Sequence, residues 1–192
     1  MDEQVPCQWL ILAYKVPSEP TRIRTSVWRQ VKALGCFHLQ QAVWLLPKTV
    51  QTEAELQKLS ASIEEMGGEA SLLSTSSQNA AWEERTIAGF NRARDEEYAE
   101  VIENEERFED EIRRETRKEK FTFAEMEDME ADWEKLNRWH QRVVARDFFG
   151  APGRQEAETR LMEGERMLVE FNRRVYEHEG VEKSLEEEKE VE

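Results

Sequence analysis

Arg22, Arg24, Arg29 and Lys32 stand in TRIRTSVWRQVK, residues 21–32, without a single carboxylate among them, in a chain of 192 residues whose formal net charge is −15. Guanidinium and ammonium groups at this spacing offer charge-assisted hydrogen bonds to oxyanions. The oxygens can belong to a nucleic-acid backbone, to a small dianion, or to the chain's own Asp and Glu side chains. At about 100° per residue along a helix, Ile23, Val27, Val31 and Leu34 fall on one apolar stripe. Arg22, Arg29 and Lys32 then share the outward face with Thr25 and Ser26, a footprint that suits phosphate oxygens and positions a protein on DNA without reading its sequence. Arg24 falls beside the apolar stripe, where we expect it to pair with a carboxylate of the acidic part of the chain. A solvated cationic face, or one docked on acidic helices, fits the same residues equally well.

Other chemistries find less support. The histidines are His38, His140 and His178, and the residues three places before them are Gly35, Asn137 and Val175, so the Glu-x-x-His pairs of a carboxylate-bridged di-iron bundle are missing. There is no Gly-rich phosphate loop, GxSxG elbow or HExxH helix. Cys36 and His38, two apart, point the same way on a strand but have no third group nearby to orient them, so we expect them to pack. His140, between Trp139 and Gln141, reads as a helix-surface or interface residue. Cys7 and Cys36 are too few for a disulfide framework and lack zinc-site spacing; both are expected as reduced thiols. No catalytic residue, metal ligand or cofactor is expected, and the chain does not read as an enzyme.

The charge that surrounds the basic segment is unevenly placed. Residues 1–52 carry six Lys/Arg against three Asp/Glu, whereas residues 79–192 carry twenty against thirty-four. An anion or nucleic-acid site is therefore sought in the first quarter. Six Trp and eight Phe within a 39% hydrophobic composition supply a real core despite the charge. No apolar run approaches the roughly 18 residues that cross a bilayer, and MDEQVPCQWL lacks the basic and apolar regions of a signal peptide. A cytoplasmic protein with no membrane partner is expected.

The elements that must position these residues differ between the two ends of the chain. QWLILAYKV, residues 8–16, is apolar and proline-bounded, as suits a buried strand. The amphipathic helix of the basic segment follows and closes at Gly35. CFHLQ and AVWLLP make a hairpin, although Gln40-Gln41 is poor turn chemistry. A second helix fits 52–66, with Thr52 and Glu55 as its capping box, and EASLLSTS, 69–76, is a last strand. This order, over residues 1–78, is that of an α+β ferredoxin-like βαββαβ domain. Beyond it, Tyr98, Val101, Phe108 and Ile112 mark one long acidic helix to about residue 118, with ion pairs expected along its solvated face. Thr122 and Glu125 cap a second, with Phe121 and Met126 as its staple. Ala157, Leu161, Gly164, Leu168, Phe171 and Val175 form a heptad seam along a third. Residues 79–180 are thus expected as an antiparallel three-helix region packed on the first domain, and residues 181–192 as an acidic disordered tail.

With WLILAYKVPSEPTRIRTSVWRQVKALG, AVWLLP, FTFAEMEDMEADWEKLNRW and VVARDFFGAPGR in view, the chain resembles the N-terminal domain of the ChrB chromate-resistance regulators of bacteria. The likeness runs from about Trp9 to Tyr176. It is most specific in P-x-E-P-x-R-x-R-x-x-x-W-R at Pro17–Arg29, in the Leu-Leu-Pro after the hairpin, and in Arg146-Asp147-Phe148-Phe149-Gly150. In that family the ferredoxin-like part looks like the middle domain of PaaX-type repressors and like the small CRISPR-associated nucleases.

The resemblance implies a chromate-responsive transcription regulator that binds DNA, with chromate or a related oxyanion as its other partner. Family members usually carry a second domain after this one, so any function housed there is expected to be absent or supplied by another protein. The related nucleases place a metal-binding Asp where this chain reads Ala13-Tyr14-Lys15-Val16, so two-metal hydrolysis is not expected. Arg146 and Asp147, followed by two Phe and a Gly, fit a lock between the second and third long helices. Alternatively Arg146, with Arg142 and Arg154, binds a tetrahedral dianion at the helix N-terminus that follows Gly150. An acidic body needs a concentrated patch to hold duplex DNA, and a homodimer would double it. The competing reading is a protein-interaction domain that does not bind DNA and docks a partner through its acidic helices.

Overall fold

The computed structural model describes residues 8–190. It is a mixed α/β structure with a four-stranded antiparallel sheet and five helices, in the order β1 (Gln8–Lys15), α1 (Thr21–Ala33), β2 (Phe37–Gln40), β3 (Val43–Pro47), α2 (Val50–Glu65), β4 (Glu69–Ser76), α3 (Ala80–Arg117), α4 (Phe123–Val144) and α5 (Gly153–Glu190). Two compact units divide it, Met1–Asn91 with Arg146–Phe149, and Arg92–Ala145 with Gly150–Glu192. Trp82, Ile87 and Phe90, from the first turns of α3, belong to the core of the sheet. Cys7 lies outside the described residues.

In the first unit the strands are ordered β2-β3-β1-β4, with Leu12 opposite Trp44 on β3 and Leu72 on β4. The central strand is apolar on both faces, as a doubly covered strand must be. Trp9 points to one face and meets Trp82, Phe90 and Phe149 at ring-centroid distances of 6.0, 5.9 and 5.9 Å. Leu10 and Leu12 point to the other and share a core with Val27 and Val31 of α1 and Leu56, Leu59 and Ile63 of α2. Each such fully buried aliphatic side chain stabilises the fold by about 1.5–3 kcal/mol.

Local chemistry sets the ends of these elements. The amides of Gly35 and Cys36 donate to the carbonyls of Lys32 and Val31, with Gly35 at φ +77°, the double closure that a left-handed glycine allows at a helix end. α2 begins earlier than its sequence pattern predicts. Thr49 is its cap, and Thr49 and Thr52 each accept from the other's backbone amide at 3.0 and 2.9 Å. Thr52 is therefore the third helical residue rather than the cap, and its buried hydroxyl also donates to the Pro47 carbonyl. The β2–β3 turn is closed by Gln41 at φ +45°, whose carbonyl accepts from His38 Nε2 at 2.6 Å. This ring contact substitutes for the glycine or asparagine that the turn lacks.

In the second unit, Tyr98 of α3 lies against His140 of α4, and Phe108 against Trp133, while Phe123 at the start of α4 meets Tyr176 of α5. Asn172 of α5 also bonds to Glu130 of α4, so ascending numbers on one helix meet descending numbers on the next, and each helix runs antiparallel to the one before it. Ala157, Leu161, Gly164, Leu168, Phe171 and Val175 are all buried, as the heptad spacing predicts. Thr122 caps α4, accepting from the Glu125 amide at 3.3 Å, while the Glu125 carboxylate pairs with Lys120 at 2.8 Å. His140 is buried rather than on a surface, since it falls on the same stripe as Leu136 and Val143. α5 continues to Glu190, past the point where a tail is expected to begin: residues 181–190 contain only good helix formers, Ser and Val, with no Gly or Pro. Residues 191–192 lie outside the described residues. No helix among the described residues is long and apolar enough to cross a membrane.

Candidate functional site

The outward face of α1 is open. Arg22, Thr25, Arg29 and Lys32 are exposed and Ser26 is half-buried, and among the described residues of this unit none of Arg22, Arg24, Arg29 and Lys32 has an ion-pair partner. Among the described residues of its own unit this helix is thus uncompensated. The cause is local: α1 packs on the sheet through Val27 and Val31, and the strands beside it supply aromatic and aliphatic side chains.

The face is divided, however, along a line that differs from the one its helical spacing suggests. Arg24, Trp28 and Lys32, at steps of four, stand with Thr25 along one wall of a cleft of about 790 Å³. The exit of β1 gives the cleft Tyr14, Lys15 and Val16, and the β2–β3 hairpin gives it His38, Gln41, Ala42 and Trp44. Arg22, Ser26 and Arg29 are not among its lining residues. Arg24 therefore joins a cationic cleft of its own unit.

The cleft contains three permanent cations, Lys15, Arg24 and Lys32, and no Asp or Glu. Its floor is aromatic. Trp44 is buried, its ring 4.8 Å from that of His38, and Lys32 Nζ lies 5.8 Å from its centroid, within cation–π range. Tyr14 is half-buried, and burial raises its hydroxyl above the ordinary phenol range, so it stands as a neutral donor. Trp28 is 50% exposed and among the described residues it has no ring partner, an unusual position for the largest apolar side chain. Because His38 Nε2 donates to Gln41, its Nδ1 is the nitrogen left to meet a ligand. Nearby Cys36 contributes nothing reactive: burial pushes its thiol up to about 12, and the protonated thiol is not a nucleophile.

The three arginines considered for an oxyanion are not gathered within one unit. Arg146 belongs to the first, where its side chain lies over Gly35, and a Cβ placed there would come 2.9 Å from Arg146 Cβ. Its guanidinium donates to the Lys32 carbonyl at 3.4 Å, where a cation complements the negative end of α1. Arg142 and Arg154 belong to the second unit. Arg154 pairs with Glu158 at 2.8 Å, and Arg142 lines a hollow that also contains Glu111 and Asp132. The first amide of α5, on Gly153, already donates to Asp95 at 2.8 Å. That helix N-terminus is thus occupied by the protein's own carboxylate. Among the described residues no group of three or more His, Cys, Asp or Glu is placed to hold a metal ion.

Comparison with known proteins gives the cleft its context. A family model described as Protein ChrB, N-terminal, matches residues 24–182. Protein ChrB of Cupriavidus metallidurans is 33% identical over 92 residues, which cover 48% of this chain and 28% of that protein. The match thus spans less than a third of that relative's length. No solved structure matches. By the extent of the family match, which runs from Arg24 in α1 through every later element to residue 182 in α5, the chain belongs to the ChrB N-terminal family.

Proposed function

We propose that this protein is a regulator of the ChrB type that binds duplex DNA through α1 and takes part in the response to chromate. The observation that carries the reading is the exposed, carboxylate-free face of α1 in a chain of net charge −15. Arg22, Arg29 and Lys32, with Thr25 and Ser26, are the groups for phosphate oxygens, and contacts of that kind fix register without specifying sequence. The strand order supports reading the first unit as ferredoxin-like, a fold that carries many functions and decides none. A homodimer in the cytoplasm would present two such faces and offset the repulsion between an acidic body and DNA.

Anisotropy of a labelled duplex from upstream of the protein's own coding sequence tests this reading. Binding at low salt that weakens steeply as salt is raised supports it; no binding at low salt sinks it. The oxyanion response rests on family membership. Calorimetric titration with chromate and with sulfate, on the protein and on Arg146→Ala and Arg154→Ala, tests the arginine set. Unchanged affinity in both variants would remove these two arginines from the oxyanion's contacts.

A further inference from the structure

A tetrahedral oxyanion does not explain the cleft on α1. Chromate, sulfate and phosphate are satisfied by a few guanidinium or ammonium groups, and they gain nothing from aromatic faces. Here the three cations share a cleft of about 790 Å³ with Tyr14, Trp28 and Trp44. This volume is typical of small-molecule sites rather than of anion nests. Lys32 already covers the Trp44 ring, which leaves Trp28 as the large flat surface still open to a ligand. An indole half exposed at the rim of a cationic cleft, with no ring partner of its own, offers a stacking surface to another π-system.

From Trp28 standing one helical turn from both Arg24 and Lys32, with Lys15 across a cleft that has no carboxylate, we infer that this cleft binds a nucleotide, its base stacked on Trp28 and its phosphate held by the three cations. The two parts of the site match the two parts of the ligand. Arg24 and Lys32 lie on either side of Trp28 along one face of α1, so a phosphate can reach a cation in either direction along the helix while the base stays on the indole. Arg gives the phosphate a bidentate fork and Lys a point charge. Every base has a π-face, so the indole selects for a ring and tolerates its identity. His38 Nδ1, the Tyr14 hydroxyl and the Gln41 side chain are polar groups left to meet the base edge or the sugar. The ligand is either a free nucleotide or an unpaired nucleotide of a strand, since both present the same ring and phosphate.

The site shares Thr25 and Lys32 with the duplex contact proposed above but not Arg22, Ser26 or Arg29, and it stands whether or not duplex DNA binds. The test is calorimetry on the full chain with AMP, a short oligothymidylate and inorganic phosphate, with chromate as a further oxyanion. We expect AMP or the oligonucleotide to bind, with phosphate and chromate at least about tenfold weaker, and Trp28→Ala to lower the affinity of the ring-bearing ligand by about tenfold or more. Trp28→Phe, which keeps a ring, should retain most of the binding, and Arg24→Ala should weaken it. A response to AMP identifies a free nucleotide, whereas a response to the oligonucleotide alone identifies an unpaired strand residue. The inference is overturned if neither binds, if phosphate or chromate binds as well as the ring-bearing ligand, or if Trp28→Ala changes nothing while its thermal melt matches the parent's.

Discussion

Lys32 faces two residues with two ends of itself: its ammonium lies 5.8 Å from the centroid of the Trp44 ring, and its carbonyl accepts from Arg146. The first contact keeps a cation at the floor of the cleft. The second ties the end of α1 to the segment 146–149, whose Phe149 packs on Trp9. The position of the cationic helix thus depends on a segment more than a hundred residues away in sequence, and the ending of α1 at Gly35 is where that dependence is concentrated.

Gly35→Ala should therefore be costly. The residue sits at φ +77° with Arg146 Cβ where a methyl would go, so the substitution adds backbone strain of about 1–3 kcal/mol and displaces Arg146. Urea unfolding should show the loss. If Gly35→Ala unfolds at the parent's denaturant midpoint, the packing of Arg146 on this turn is not what the geometry indicates.

The cap of α2 gives a sharper comparison between two threonine-based arrangements. With Thr49 as the cap, Thr49→Ala should lose about 1 kcal/mol. Glu55→Ala removes only an exposed pair with Lys58, worth at most about 1 kcal/mol and commonly less. Thermal melts of the two variants decide the matter, and equal or reversed losses would restore Thr52 as the cap.

Glu105 supplies a pH dependence. It is fully buried in the helical unit, with the Glu109 carboxyl group beside it. Burial, then the neighbouring Glu109, pushes its carboxyl up to about 7, opposed by Arg160 and reinforced by Glu163. In the folded state it stays protonated between its ordinary value of 4.5 and about 7, whereas the unfolded chain releases that proton. Its contribution to stability is thus full below 4.5 and is lost as pH rises through about 7. Glu105→Gln, which mimics the neutral acid, should match the parent near pH 5 and exceed it near pH 8. Denaturant unfolding at the two pH values checks this, and a variant less stable at both would contradict it.

Much of this architecture is legible in the chain, and the failures have physical causes. Strands and long helices announce themselves by period, and the seam from Ala157 to Val175 lies where the heptad spacing puts it because the same side chains must face one neighbour throughout. The start of α2 is misplaced because Thr49 and Thr52 cap each other, a pairing that the search for a Glu three residues on passes over. Of the two places expected for His140, the interface is the one it takes, because a polar residue on an apolar stripe takes its burial from that stripe. The cleft is the larger omission. Arg24, Trp28 and Lys32 lie at steps of four, so their shared wall is written in the sequence. Lys15, His38 and Trp44 come from two other elements, and only folding brings them to that wall. Helical spacing alone grouped Lys32 with Arg22 and Arg29 and left Arg24 aside; the sheet beside α1 regroups them.

On the proposed reading, α1 holds DNA phosphates through Arg22 and Arg29, outside the cleft. That reading is tested most directly by the salt dependence of duplex binding, measured by anisotropy for the parent and for the Arg22→Ala/Arg29→Ala double variant. Each phosphate contact contributes a slope of about −0.9 to log K against log salt. The double variant should thus bind more weakly at low salt on every sequence, with a slope shallower by about 2. Equal affinity and equal slope for the two proteins would show that duplex DNA, if bound, is held elsewhere, and would contradict the account.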